Sequence, residues 1–202
     1  MTAILKVDTI QDTSGNNIIN ESSDTITIGA SGDTTNIVGT LQNNGSALIS
    51  GITMADMWRL TADQAGGTNA VVSSNLERVD TGGFGQLGTG LTESSGVFSF
   101  PSTGIYLISL IGFINIRADG AGNVSLDTDY GSGFGDTTLV TAGNNDASGV
   151  QQSVAGNFIF DVTNISTHKF RLRTHSMASG SYLMGETDRN RTAVTVIRLG
   201  DT

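Results

Sequence analysis

The longest apolar stretch of the chain follows its only proline. Pro101, Ser102, Thr103 and Gly104 read as a turn, and residues 105–116 then run Ile-Tyr-Leu-Ile-Ser-Leu-Ile-Gly-Phe-Ile-Asn-Ile, a strand of roughly 40 Å at about 3.3 Å per residue. Alternate residues of a strand point to opposite sides, and here both sides are apolar. Ile105, Leu107, Ile111 and Phe113 fall on one; Tyr106, Ile108, Leu110, Ile114 and Ile116 fall on the other. A half-exposed strand would alternate apolar with polar residues. This one is expected to be covered twice, once by its own domain and once from outside. In a fold without helices to lie over the second side, another subunit is the simplest cover, so self-association is the first functional expectation.

The rest of the composition supports an all-β chain. Glycine supplies 27 of 202 residues, and Ser, Thr and Asn separate short aliphatic runs, as in strands joined by tight turns. The net charge of −9 argues against nucleic acid, because binding a phosphate backbone requires clustered Lys and Arg to release counterions. With no cysteine there is no disulfide, thiolate metal site or thiol nucleophile. The start Met1-Thr2-Ala3-Ile4-Leu5-Lys6 shows no secretory signal, and no run of 18 apolar residues would span a bilayer. The product is expected to be soluble, made in the cytoplasm, and not inserted into a membrane.

Two regions differ in kind. Residues 2–53 hold no aromatic side chain, and no Lys or Arg lies between Lys6 and Arg59. Small aliphatic groups (Leu5/Val7/Ile10, Ile18/Ile19, Ile26/Ile28, Ile37/Val38/Leu41, Leu48/Ile49/Ile52) recur with turn clusters such as Asn43-Asn44-Gly45 between them. One such strip has too little apolar surface to offset roughly 1–2 kcal/mol of backbone entropy per ordered residue. Residues 1–55 are therefore expected to be an extended β shaft or anchor in which copies pair with one another, the competing reading being a flexible Gly/Ser/Asn tail. Residues 56–202 hold every aromatic of the chain and are expected to be a head. Strands are expected there at 58–61, 76–79, 96–100, 105–116, 124–128, 137–141, 150–162, 168–176, 182–184 and 193–199. That spacing suits a sandwich or barrel, and we expect a jelly-roll β-sandwich.

The run Phe98-x-Phe100-Pro101-x-x-Gly104-Ile105-Tyr106-x-Ile108 resembles the strand–turn–strand hallmark of the heads of complement-type and tumour-necrosis-factor-like proteins. The closing strand Ala193-Val194-Thr195-Val196-Ile197-Arg198-Leu199-Gly200 is similar to their last, subunit-central strand. The opening Leu5-Lys6-Val7-Asp8-Thr9-Ile10-Gln11-Asp12-Thr13-Ser14-Gly15 resembles the N-termini of structural proteins of marine phages, cyanophages included. These resemblances imply a trimeric jelly-roll head on a phage virion protein. The chain departs from the animal families in lacking a collagen stalk and in carrying a basic segment from His168 to His175.

Candidate sites are few. Gly83-Phe84-Gly85-Gln86-Leu87-Gly88 matches a dinucleotide glycine pattern, but no helix follows to aim its N-terminus at a pyrophosphate, so a glycine-rich loop is favoured. Asp127, Asp129 and Asp136 group carboxylates, yet the glutamate that closes a calcium loop is missing, and no metal or cofactor is expected. His168 and His175 are separated by an odd interval that sends them to opposite faces, and no catalytic set emerges; a glycan depolymerase is the residual enzymatic alternative. Lys169, Arg171, Arg173 and His175 share one face of a strand. They form either an anion-binding face for host polysaccharide or an ion-pair ladder to neighbouring acids. The function expected is a homotrimeric tail fibre or spike. Its core and interface would come from Ile105, Tyr106, Ile108, Leu110, Ile111, Phe113, Ile114 and Ile116, its N-terminal region would bind other virion proteins, and its head would bind host-surface polysaccharide or protein. The alternative is a capsid decoration, head-fibre or other architectural virion protein.

Overall fold

The structure, a computed structural model, describes residues 9–202 apart from 16, 23, 24, 30, 44, 45, 48–50, 68, 118, 119, 146 and 147. Among the described residues there is no helix, and the chain divides into two compact units, Met1–Ser50 and Gly51–Thr202.

In the first unit β1 (Thr9–Gln11), β2 (Asn17–Ser22) and β3 (Thr25–Ile28) form an antiparallel sheet, followed by the small hairpin of β4 (Gln42–Asn43) and β5 (Ser46–Ala47). Asp12 opens the first turn: its carboxylate accepts the Ser14 N–H at 2.8 Å and its carbonyl the Gly15 N–H at 3.1 Å. Ile10, Ile19 and Ile28 stand in direct register and so share a face, with Ile26 beside Ile28. All four are exposed. Within the chain, β1–β3 pair with one another, because turns as short as Asp12–Gly15 let adjacent strands meet. Ile37 and Val38, expected in a strand, lie outside any, whereas Leu5, Val7, Leu48 and Ile49 fall outside the described residues.

The second unit begins at Gly51 rather than at the expected residue 56, since Met54 is buried in the core and the first strand opens at Ala55. Its strands are β6 (Ala55–Leu60), β7 (Gln64–Ala65), β8 (Ala70–Val71), β9 (Leu76–Arg78), β10 (Thr92–Ser94), β11 (Val97–Ser99), β12 (Gly104–Ile116), β13 (Gly120–Tyr130), β14 (Gly135–Asn144), β15 (Val150–Val162), β16 (His168–His175), β17 (Tyr182–Leu183) and β18 (Ala193–Gly200). They build two antiparallel sheets. One runs β10-β11-β16-β13-β14 with β8 beside β16; the other runs β7-β17-β12-β18-β6-β9 with β15 along the far side of β12. From β11 onward the chain changes sheet after β11, β12, β14, β15 and β16, and the short strands before it also cross, after β7, β8 and β9; this repeated crossing is the connectivity of a jelly roll.

Alternation explains why these segments stack. In β16, His168, Phe170, Leu172 and Thr174 are buried, and the residues between them are partly exposed. In β12 the buried apolar side chains are Tyr106, Ile108, Leu110, Ile114 and Ile116. Phe98 stacks on Phe170 at 4.7 Å between ring centroids and receives the edge of Trp58 at 5.5 Å, while Phe100 leans on Tyr106 at 4.6 Å. The hairpin joining β10 to β11 has two turn residues, Ser95 (φ 53°) and Gly96 (φ 83°), the positive-φ pair of a type I′ turn. A Cβ on Gly96 would lie 2.2 Å from the Val72 carbonyl oxygen, so the turn is also pressed against the neighbouring backbone. Two substitutions test the packing by thermal unfolding. Ile114→Ala should cost about 2–5 kcal/mol through the cavity it opens. Gly96→Ala should cost about 1–3 kcal/mol through backbone strain and the clash with Val72.

Candidate functional site

Two surfaces of the head carry the chemistry that the sequence singles out. The first is the outer face of β16. Register sets Asp129 opposite Lys169, Asp127 opposite Arg171, Ser125 opposite Arg173 and Asn123 opposite His175. Asp127 is buried at 1% exposure; its Oδ1 accepts the Ser125 hydroxyl at 2.7 Å, and its Oδ2 lies 3.1 Å from Arg171 Nε and 3.0 Å from Arg173 Nε. The Arg171 contact is a directed hydrogen bond, whereas Arg173 Nε is held by charge and proximity without one. The Arg173 guanidinium also pairs with Asp136, whose second oxygen stands 3.8 Å from His175 Nε2. Arg171 covers the ring of Phe134 at 4.2 Å.

Asp129 closes the β13–β14 turn by accepting the N–H groups of Gly131 at 2.8 Å and Gly133 at 3.0 Å. The Gly131 bond, ahead of the Gly133 bond and the Lys169 charge, holds its carboxyl below the usual value of 3.8. Of the two readings open for this face, the ion-pair ladder is the one whose partners are in place: Asp127, Asp129 and Asp136 stand among the four basic residues. The same bonds occupy the carboxylates considered for calcium. Among the described residues no three His, Cys, Asp or Glu side chains are grouped to hold a metal. His168 turns inward, stacked on Phe160 at 5.4 Å and touched by the hydroxyls of Thr163 and Thr167, so the two histidines do take opposite faces. The glycine-rich loop at 82–88 is exposed and leads into a bridge between Leu87 and Ala55.

The second surface is the outer face of the sheet centred on β12. Of the eight residues named for core and interface, Tyr106, Ile108, Leu110, Ile114 and Ile116 face the core; Ile105 and Phe113 are partly exposed, and Ile111 is 47% exposed on the outer face. Register turns that face into rows. Ile159, Leu107, Ile197 and Ala55 form one row across β15, β12, β18 and β6. Asn157, Ser109, Thr195 and Met57 form the next, and Ala155, Ile111, Ala193 and Arg59 the third. Arg59 is itself buried, its Nε donating to Glu77 at 2.7 Å and its Nη1 to the Thr81 hydroxyl at 3.1 Å. Toward one end, Arg191 covers the Phe113 ring at 5.7 Å. Among the described residues two buried side-chain acceptors lack a hydrogen bond, Asn115 Oδ1 on β12 and Asn190 Oδ1, whose own amide nitrogen meets Met57 Sδ at 3.0 Å. The sequence does not single out Ser109, Asn157 and Thr195 as a row; the one signal is Ser109 itself, the lone aliphatic hydroxyl amid Ile105–Phe113.

No protein-family model matches the sequence, and no curated protein matches it. Solved structures do match. Eiger TNF from S. frugiperda superposes with a TM-score of 0.57 at 10% identity, covering 75% of this chain and 95% of that one. Murine APRIL at pH 5.0 gives 0.54 at 10% identity, covering 72% and 98%. The head thus has the jelly-roll fold of these tumour-necrosis-factor-like structures.

Replacing Asp127 by Asn should cost about 1–3 kcal/mol, because it leaves Arg171 and Arg173 without the charge they were desolvated against; urea unfolding measures it. Asp129 contributes stability that is fully present above its unfolded value near 3.8 and is lost as pH falls through its lower folded value. Asp129→Asn should therefore lower the melting temperature modestly at pH 7, with the gap to the wild type closing as pH falls below about 4, so that the acid limb of the profile flattens.

Proposed function

We propose that the chain is a phage virion protein that works by binding rather than catalysis: a homotrimer attached to the particle through its N-terminal unit, with the head contacting the host surface as a tail fibre or spike. The observation that carries the reading is the outer face of the β12 sheet. Ile111 and Ile159 stand 47% and 60% exposed there, and the rows from Leu107 to Ile111 on β15, β12 and β18 hold no charged side chain. A molecule of net charge −9 repels its own copies wherever carboxylates meet, so an uncharged apolar face is where copies can pack. Support for a particle origin is the resemblance of residues 5–15 to phage structural proteins.

Threefold presentation lets weak sites hold a cell together, and contact through head loops suits this, for instance at exposed Tyr130 beside the turn that Asp129 locks. A second reading, an architectural decoration protein, is favoured by the carboxylates around Lys169, Arg171, Arg173 and His175, which weaken the pull of that face on an anionic glycan.

Fluorescent protein incubated with host cells, and separately with particles lacking it, divides the two readings. Cell binding supports attachment; particle binding without cell binding overturns it. Ile111→Asp, on the open face, should leave circular dichroism unchanged and convert the trimer to monomer by native mass spectrometry. A wild-type monomer at micromolar concentration would end the self-association reading.

A further inference from the structure

An apolar sheet face that packs against copies of itself has no inherent register, since one aliphatic row fits another and a slipped contact buries much the same area. The outer face of the β12 sheet carries a landmark. Between the Leu107 row and the Ile111 row lie Asn157, Ser109 and Thr195, directly opposed across three strands. Ser109 Oγ and the Asn157 side chain are bonded at 2.7 Å. That bond uses one end of the amide. The other end has no hydrogen-bond partner among the described residues, and Asn157 stands exposed on the rim strand β15.

We propose that Ser109 and Asn157 are the register key of self-association, an inference that rests on the self-association proposed above. The occupant of the face is a second copy of this chain: it presents the same uncharged rows, and it carries the groups that the key requires. When polar row meets polar row, the free end of each Asn157 amide reaches the Asn157 or Thr195 side chain of the neighbour, and each buried group is satisfied. When the copies slip by a row, those amides are buried against Leu107, Ile111, Ile159 or Ile197 with nothing to bond. The penalty falls on wrong registers alone, as with a single buried asparagine in a coiled coil, which fixes strand number at a cost in stability.

The test uses the full chain and the variant Ser109→Val with Asn157→Leu, whose sites are partly or fully exposed in the single chain, so the head keeps its fold by circular dichroism. Native mass spectrometry and sedimentation should show one stoichiometry for the wild type. In the double variant, species of other stoichiometry should rise about tenfold or more, with the melting temperature unchanged or higher. The conservative pair Ser109→Thr with Asn157→Gln should restore a single species. A double variant with an undiminished single stoichiometry overturns the key while leaving self-association standing, and a purely monomeric double variant also overturns it, by making the pair adhesive rather than selective. A monomeric wild type removes both proposals together.

Discussion

Strand β12 is hydrogen-bonded on both sides, and the head depends on that double pairing. Along one side β15 is in register with all of Gly104–Ile116; along the other, β18 matches Ile105–Ile111 and β17 matches Ile114 and Asn115. A strand held so completely leaves its side chains no choice of face. Period-two alternation then sends Tyr106, Ile108, Leu110, Ile114 and Ile116 into the sandwich and Leu107, Ser109, Ile111 and Phe113 outward. The closed core and the open apolar face are two results of one constraint, and a residue inserted into β12 would exchange them.

Much of this could be read from the sequence. The ten strands expected in the head are all present, with Val150–Val162 matching at both ends, because alternation over eight or more residues is a strong signal. The missing strands are β7, β8 and β10, of two or three residues each; Thr92-Glu93-Ser94 has no apolar pattern and is a strand only because β11 pairs with it. The first unit was harder. Its aliphatic spacing shows where strands fall but not which backbone they pair with, and that depends on turns, such as the one Asp12 closes, more than on the isoleucines.

Charge was the least legible quantity. Read along one strand, Lys169, Arg171, Arg173 and His175 form a basic stripe, yet their electrostatics are set by Asp127, Asp129 and Asp136, more than 30 residues away in sequence and adjacent in space. Asp56 shows the same blindness. It looks like an ordinary surface acid in the sequence, but it is buried and accepts the Trp58 indole N–H at 3.1 Å, the Leu91 backbone N–H at 2.8 Å and two nitrogens of Arg78. A carboxylate so fully bonded fastens the 87–91 segment to β6 and β9.

The place of β18 has a consequence for how the protein is made. It lies between β12 and β6, bonded to Ile105–Ile111 on one side and to Ala55–Arg59 on the other. Until residues 193–200 have left the ribosome, the sheet lacks an interior strand, and the edges of β12 and β6 face each other across an empty slot. A sheet without that strand offers two unpaired edges, each a template for pairing with another chain. Insertion of β18 joins the β12 and β6 sides of the sheet, so the two ends of the head's sequence, 55–59 and 193–200, close it together.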